Sequence, residues 1–197
     1  MRSIALAPLL LAAVCQGQDG LRPPEEQRQK GLVLTAPAGW KEGAPQGAER
    51  GRWTVSTGEG KPPLVVSFAR LGTKKPLEEH LARWARGWRT PEGQPLDPAA
   101  VEPTALEIEG VPARVVELQG TWVLPPYPGA EEFEPRQAWA GFYALLEGPD
   151  GQWSAIVTGP AGELERLREA WLAFLKTAKV ALVEVKEEPQ AADEKQE

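Results

Sequence analysis

The sequence predicts an α+β domain: a central antiparallel sheet of about six or seven strands with two helices packed on it. Three observations lead there. Gln137 to Lys176 reads as strand, tight turn, strand and long amphipathic helix. Short alternating segments precede it, joined by connections too short for parallel crossovers. The order of the whole is strands, helix, strands, helix, with no internal repeat.

The first strand is expected over Gly31–Ala36, ended by Pro37-Ala38-Gly39-Trp40, with Trp40 folding back onto the core. Glu49–Thr57 and Leu64–Arg70 are the next strands, with Gly58–Pro63 as the turn between them. Pro76 opens a helix whose Leu77, Leu81, Trp84 and Trp88 form one apolar stripe. Thr104–Glu109 and Ala113–Val123 form a hairpin around Gly110-Val111-Pro112.

Trp139–Glu147 carries apolar groups on both faces. Trp139, Tyr143 and Leu145 lie on one side, and Phe142, Ala144 and Leu146 on the other. That pattern suits a central strand covered twice. Gly148-Pro149-Asp150-Gly151 turns it into Trp153–Thr158. Pro160 then starts a helix with Leu164, Leu167, Trp171, Phe174, Leu175 and Ala178 on its buried stripe. Thr90–Pro103 and Leu124–Pro135 are two long proline-rich loops.

The ends are unlike the middle. Arg2 followed by the apolar run Ile4–Val14 has the layout of a secretory signal peptide, placed at residues 1–17, and is too short to span a bilayer. Residues 18–30 read as a linker, 31–180 as the single domain, and 186–197 as a disordered acidic tail. Cys15 is the only cysteine. A lipid anchor on it would make the chain a lipoprotein, but Val14 sits where a small residue is expected. The better reading is a cysteine within the discarded signal. A domain without disulfides must rely on its hydrophobic core.

Net charge is −6, and the stretch Glu184–Glu197, with six acids and two lysines, supplies −4 of it. The near-balanced remainder argues against a nucleic-acid partner. No phosphate loop or dinucleotide fingerprint is present, and no cofactor is expected. His80, the only histidine, reads as a helix-boundary residue at the edge of the Leu77/Leu81/Trp84 stripe, and neither a multi-histidine metal site nor a Cys–His pair is available. None of Ser56, Ser67 and Ser154 lies in a nucleophile elbow. Arg83, Arg86 and Arg89 read as a solvated helix face. Thr158-Gly159-Pro160 puts a helix N-terminus at a strand end, an arrangement that can hold an anion, but Pro160 removes one donor and no catalytic partner accompanies it.

Several segments in order carry a resemblance. They are Pro37-x-Gly39-Trp40, Arg83-Trp84, Ile108-Glu109-Gly110, Gly120-Thr121-Trp122, Gly148-Pro149 and Val157-Thr158-Gly159-Pro160. Over about Leu32–Thr177 the chain resembles the PsbP/Mog1-like fold, and more closely its small exported bacterial members of unknown function. The resemblance implies a central antiparallel sheet carrying helices. It implies no activity, cofactor or catalytic residue.

The reading that follows is an exported, non-catalytic domain that binds a protein or cell-envelope partner, with no catalytic or metal site. Binding is expected at the second loop, through Tyr127, Glu131, Glu132 and Phe133, together with Trp139 at the head of the following strand. The alternative is a small-ligand carrier with a groove between the sheet and the 124–135 loop. A hydrolase using carboxylates alone is the weakest reading, because no two acids can be placed together from sequence.

Overall fold

The computed structural model describes residues 28–72, 74–124 and 134–184. Its strands are β1 (Arg28–Val33), β2 (Lys41–Glu42), β3 (Glu49–Val55), β4 (Leu64–Arg70), β5 (Trp88–Arg89), β6 (Thr104–Leu106), β7 (Ala113–Trp122), β8 (Arg136–Gly148), β9 (Gly151–Pro160) and β10 (Lys179–Glu184). The helices are α1 (Leu77–Ala85) and α2 (Ala161–Lys176). The main sheet runs β2-β3-β4-β9-β8-β7-β5, and β6 also pairs with β7. All of its pairings are antiparallel. This is the α+β sandwich expected, with eight strands in the main sheet and a separate ribbon of two.

β8 lies between β7 and β9, the position its two apolar faces require. Phe142, Ala144 and Leu146 enter a core with Leu164, Leu167, Trp171, Phe174 and Leu175 of α2. Tyr143 and Leu145 enter a second core with Leu81 and Trp84 of α1, and Trp139 packs at its margin. The first core centres on Phe174, whose ring lies 4.9 Å from Trp40, 5.0 Å from Trp53 and 5.9 Å from Trp171. Trp40 is the plug anticipated for it. In the second core Trp84 stacks on Tyr143 at 5.1 Å, and the Trp88 indole donates to the Tyr143 hydroxyl at 2.9 Å. Burial pushes the Tyr143 phenol up, and the Trp88 hydrogen bond offsets this only in part.

Three expectations need correction. The first helix ends at Ala85 and does not reach Trp88. Trp88 instead pairs with Trp122 across β5 and β7 and is fully buried. Gly87 makes the exit, where a Cβ would strike the Trp122 ring. Packing of the two indoles, 5.0 Å apart, outweighs the helical spacing.

The second correction concerns the first strand. β1 begins at Arg28, so the segment taken as linker is already paired over its last three residues. It also stands apart from the main sheet. Its partner is β10, which runs beyond the 31–180 boundary to Glu184. Thr177 fastens this ribbon: its hydroxyl accepts from the Thr35 N–H at 2.8 Å and donates to the Phe174 carbonyl at 2.6 Å. Leu32 on β1 is buried against the first core, so the ribbon closes that face beside α2.

The third concerns His80, expected at a helix boundary. It is buried on the inner side of α1 and is described below. The signal segment and the acidic tail lie outside the described residues.

Phe174→Ala should destabilise the fold by about 3–5 kcal/mol, because it empties a site shared by three tryptophans. Urea unfolding followed by tryptophan fluorescence measures this. A loss below about 1 kcal/mol would show that the first core does not centre there.

Candidate functional site

The sandwich has two ends, and each gathers polar groups. At one end the β8–β9 turn meets the start of α1. Gln152 of β9 is 1% exposed and His80 of α1 is 4% exposed. The Gln152 carbonyl oxygen accepts from the Lys75 N–H at 2.7 Å and from His80 Nε2 at 3.1 Å. Its amide nitrogen donates to the Lys75 carbonyl and to Glu147 Oε1, both at 2.9 Å. Lys74 Nζ completes the chain 2.7 Å from Glu147 Oε2. Burial pushes the Glu147 carboxyl up, but the Gln152 hydrogen bond and the Lys74 and His80 charges together hold it below the usual carboxylate range. Every capacity of the Gln152 amide is engaged, so the cluster clamps the connection between β4 and α1 onto the central hairpin.

The other end is less closed. There β7 finishes, β8 begins and α2 starts. Gly120 pairs with Trp139 and Trp122 with Arg136, so two steps along β7 match three along β8, with Thr121 set against Gln137 and Ala138. This is a β-bulge. Two backbone features hold it. Gly120 has φ +153°, and a Cβ there would collide with the carbonyl oxygen of Arg89. Ala138 has φ +54° and is the one non-glycine residue with positive φ among those described. Such a backbone is uncommon away from functional or tightly constrained places.

Beside the bulge lies an open cleft of about 460 Å³, lined by Pro91, Gln119, Gly120, Thr121, Gln137 and Ala138. A smaller one of about 220 Å³ adjoins it through the shared residue Gln119. Its apolar floor includes Ala140, Phe142 and Leu164, and its wall carries Glu117, Glu165 and Arg168. Those three charges are already paired: Arg168 bonds both glutamates and lies 5.3 Å over the Phe142 ring. A third cleft, of about 370 Å³, lies across α2 beside Trp40, Ser56, Thr57 and Arg166.

Of the residues expected to bind, Tyr127, Glu131, Glu132 and Phe133 lie outside the described residues. Trp139 is half-buried on the α1 side of the sheet, with the Arg136 guanidinium 4.5 Å over its ring. It belongs to the margin of the second core. The loop side of the groove anticipated between sheet and loop lies outside the described residues, and the cleft beside the bulge is lined, among the described residues, by Gln119, Thr121 and Gln137 with Pro91, Gly120 and Ala138. The helix start at Thr158–Pro160 is occupied. The space a Cβ on Gly159 would take is filled by Leu64 and Leu164. Of the arginine row, Arg83 and Arg86 are exposed, and Arg89 donates to the carbonyls of Arg86 and Trp88.

Sequence reading missed Gln152, Gln119, Gln137 and Ala138. Gly120 within a strand was the available sign of a bulge. Nothing in an alanine marks it for positive φ.

No protein-family model matches the chain, and no curated protein matches it. Among solved structures it is similar to LpqN of Mycobacterium tuberculosis, described as involved in cell envelope biogenesis. That likeness covers 78% of this chain and 85% of that one, at 11% identity and a TM-score of 0.45. At those values it carries no argument about what this chain does.

Gln152→Ala should cost about 2–4 kcal/mol, since it strands the buried His80 ring and the Lys75 backbone. Denaturant titration checks it, and a near-neutral effect would remove the clamp from the account. Glu147 has a folded pKa below its unfolded one, so its contribution is present above the ordinary carboxylate range and is lost as pH falls through the folded value. Glu147→Gln should therefore flatten the acid side of the stability profile and leave its neutral-to-alkaline shape unchanged. Ala138→Gly should stabilise the fold by about 0.5–1 kcal/mol, because glycine accepts φ +54° without a Cβ clash. A destabilised Ala138→Gly would mean that the methyl group makes contacts worth more than the relieved strain.

Proposed function

We propose that this chain is an exported, non-catalytic α+β domain that binds a protein or cell-envelope partner at the bulged rim of its sheet. Export rests on the Arg2–Val14 segment. Among the described residues no helix is long and apolar enough to cross a membrane. A lipid on Cys15 is not part of the proposal. The resemblance to exported PsbP/Mog1-like proteins accords with the observed sandwich and adds no role.

The observation that carries the reading is the rim itself. A strained alanine and a glycine that admits no side chain are kept at one open strand end, next to a cleft. Strain of this kind persists where surrounding structure imposes it, and bulges re-aim side chains at sheet rims. The non-catalytic part rests on where the reactive groups are. His80 is held by Gln152, Ser154 is buried in β9, and Ser56 lines the third cleft, whose described lining does not include His80. The carrier reading has the volume in its favour, since about 460 Å³ falls within the size range of ligand sites. Its described lining is open and mixed, with Pro91, Gly120 and Ala138 beside the two amides and Thr121, which suits a partner lying across the rim better than an enclosed apolar ligand.

Cross-linking followed by pull-down from the envelope fraction tests this. The tagged exported protein should retain a specific envelope component. Replacing residues 124–135 by a short turn should lower that recovery about tenfold or more. Equal recovery by the two forms would move binding away from the rim.

A further inference from the structure

Taking the rim as the binding end, we infer that the trough formed by the two clefts sharing Gln119 binds an uncharged glycan chain. The two clefts, about 460 Å³ and about 220 Å³, meet at Gln119 and lie in series along β7. A linear ligand can follow that path from the β5 side of the bulge toward the start of α2. The wider section presents Gln119, Thr121 and Gln137. Each amide offers donors and an acceptor together, and each hydroxyl both donates and accepts, the pattern that vicinal sugar hydroxyls match. The bulge sets Thr121, Gln137 and Ala138 outside the β7–β8 register, with Thr121 opposite Arg89 of β5, and so turns this stretch of the rim toward the cleft.

Charge sets the class of glycan. The described lining of the wider section contains no ionisable side chain. In the narrower section Arg168 is held by Glu117 and Glu165 and is not presented to an incoming anion. A phosphorylated, sulfated or uronic chain would be desolvated there without a counter-charge. A protein partner fits less well. Protein interfaces centre on aromatic, methionine and arginine anchors. Among the described residues the exposed large hydrophobics are Leu124, Val180 and Leu182, and only Leu124 adjoins the rim. Below the narrower section Ala140, Phe142 and Leu164 are buried and Arg168 covers the Phe142 ring, so the sugar would be held through its hydroxyls by the amides and Thr121, without ring stacking.

The test uses the purified exported protein, with chitotetraose and cellotetraose as neutral probes and a sulfated oligosaccharide as the charged control. Calorimetry gives affinity, and amide chemical shifts give location. A neutral tetrasaccharide should bind and move the Gln119, Thr121 and Gln137 signals, with the sulfated chain at least tenfold weaker (about 1.4 kcal/mol). Gln119→Ala with Gln137→Ala removes two exposed side chains, so the fold should be retained, and binding should fall about tenfold or more. Ser56→Ala, across α2 in the third cleft, should bind as the parent does. The inference is overturned if neither neutral chain perturbs those signals at millimolar concentration, if the double variant binds equally well, or if the sulfated chain binds best. Envelope recovery that is lost on replacing the 124–135 segment while no glycan binds would leave the rim as the binding end and overturn the glycan alone. Loss of neither would overturn both.

Discussion

The fold depends on one constraint: β8 is apolar on both faces. A strand of that kind cannot face water on either side, so it must be interior to a sheet and that sheet must be covered twice. Each large side chain so covered contributes roughly 1.5–3 kcal/mol. The two layers are then specified by what can cover them. α2 follows β9 directly and lies on the Phe142–Leu146 side. α1 reaches the Tyr143–Leu145 side from the far end of β4. The ribbon of β1 and β10 completes the first layer, joining segments from opposite ends of the chain.

Covering both faces leaves the sheet ends as the places where polar chemistry can gather. The two ends are built differently. At the β8–β9 turn a buried glutamine has every hydrogen-bonding capacity engaged, together with the chain's one histidine. A saturated network holds geometry and has no spare capacity for a ligand. At the opposite end a bulge breaks the ladder, exposed amides line the clefts, and the backbone at Ala138 is strained. The first end therefore reads as structure and the second as recognition.

The sequence made the central unit legible because its signals are periodic. The two-faced strand, the Gly148–Gly151 turn and the α2 stripe all stand where the spacing places them. It misplaced Trp88, since Leu77, Leu81 and Trp84 continue to it at helical spacing while its partner Trp122 is distant in the chain. It missed β10 because a single short alternating segment next to an acidic tail has no local partner to announce it. The rim was legible only as a region. Gly120 hinted at a bulge, but Ala138, Gln119 and Gln137 become a site only through register, which local sequence does not encode. His80 was visible as a residue and misread as a boundary, because its partner Gln152 lies 72 positions away.

Native-state hydrogen exchange measures the central claim most directly, because it ranks the opening free energies of the strands against one another. If the two-faced strand organises the fold, the amides of Phe142–Leu146 and their β9 partners should exchange last, at the rate set by global unfolding. The β1–β10 ribbon and the bulge at Gly120–Trp122 should open earlier. Slowest exchange in β3 and β4, with β8 opening before them, would contradict the account.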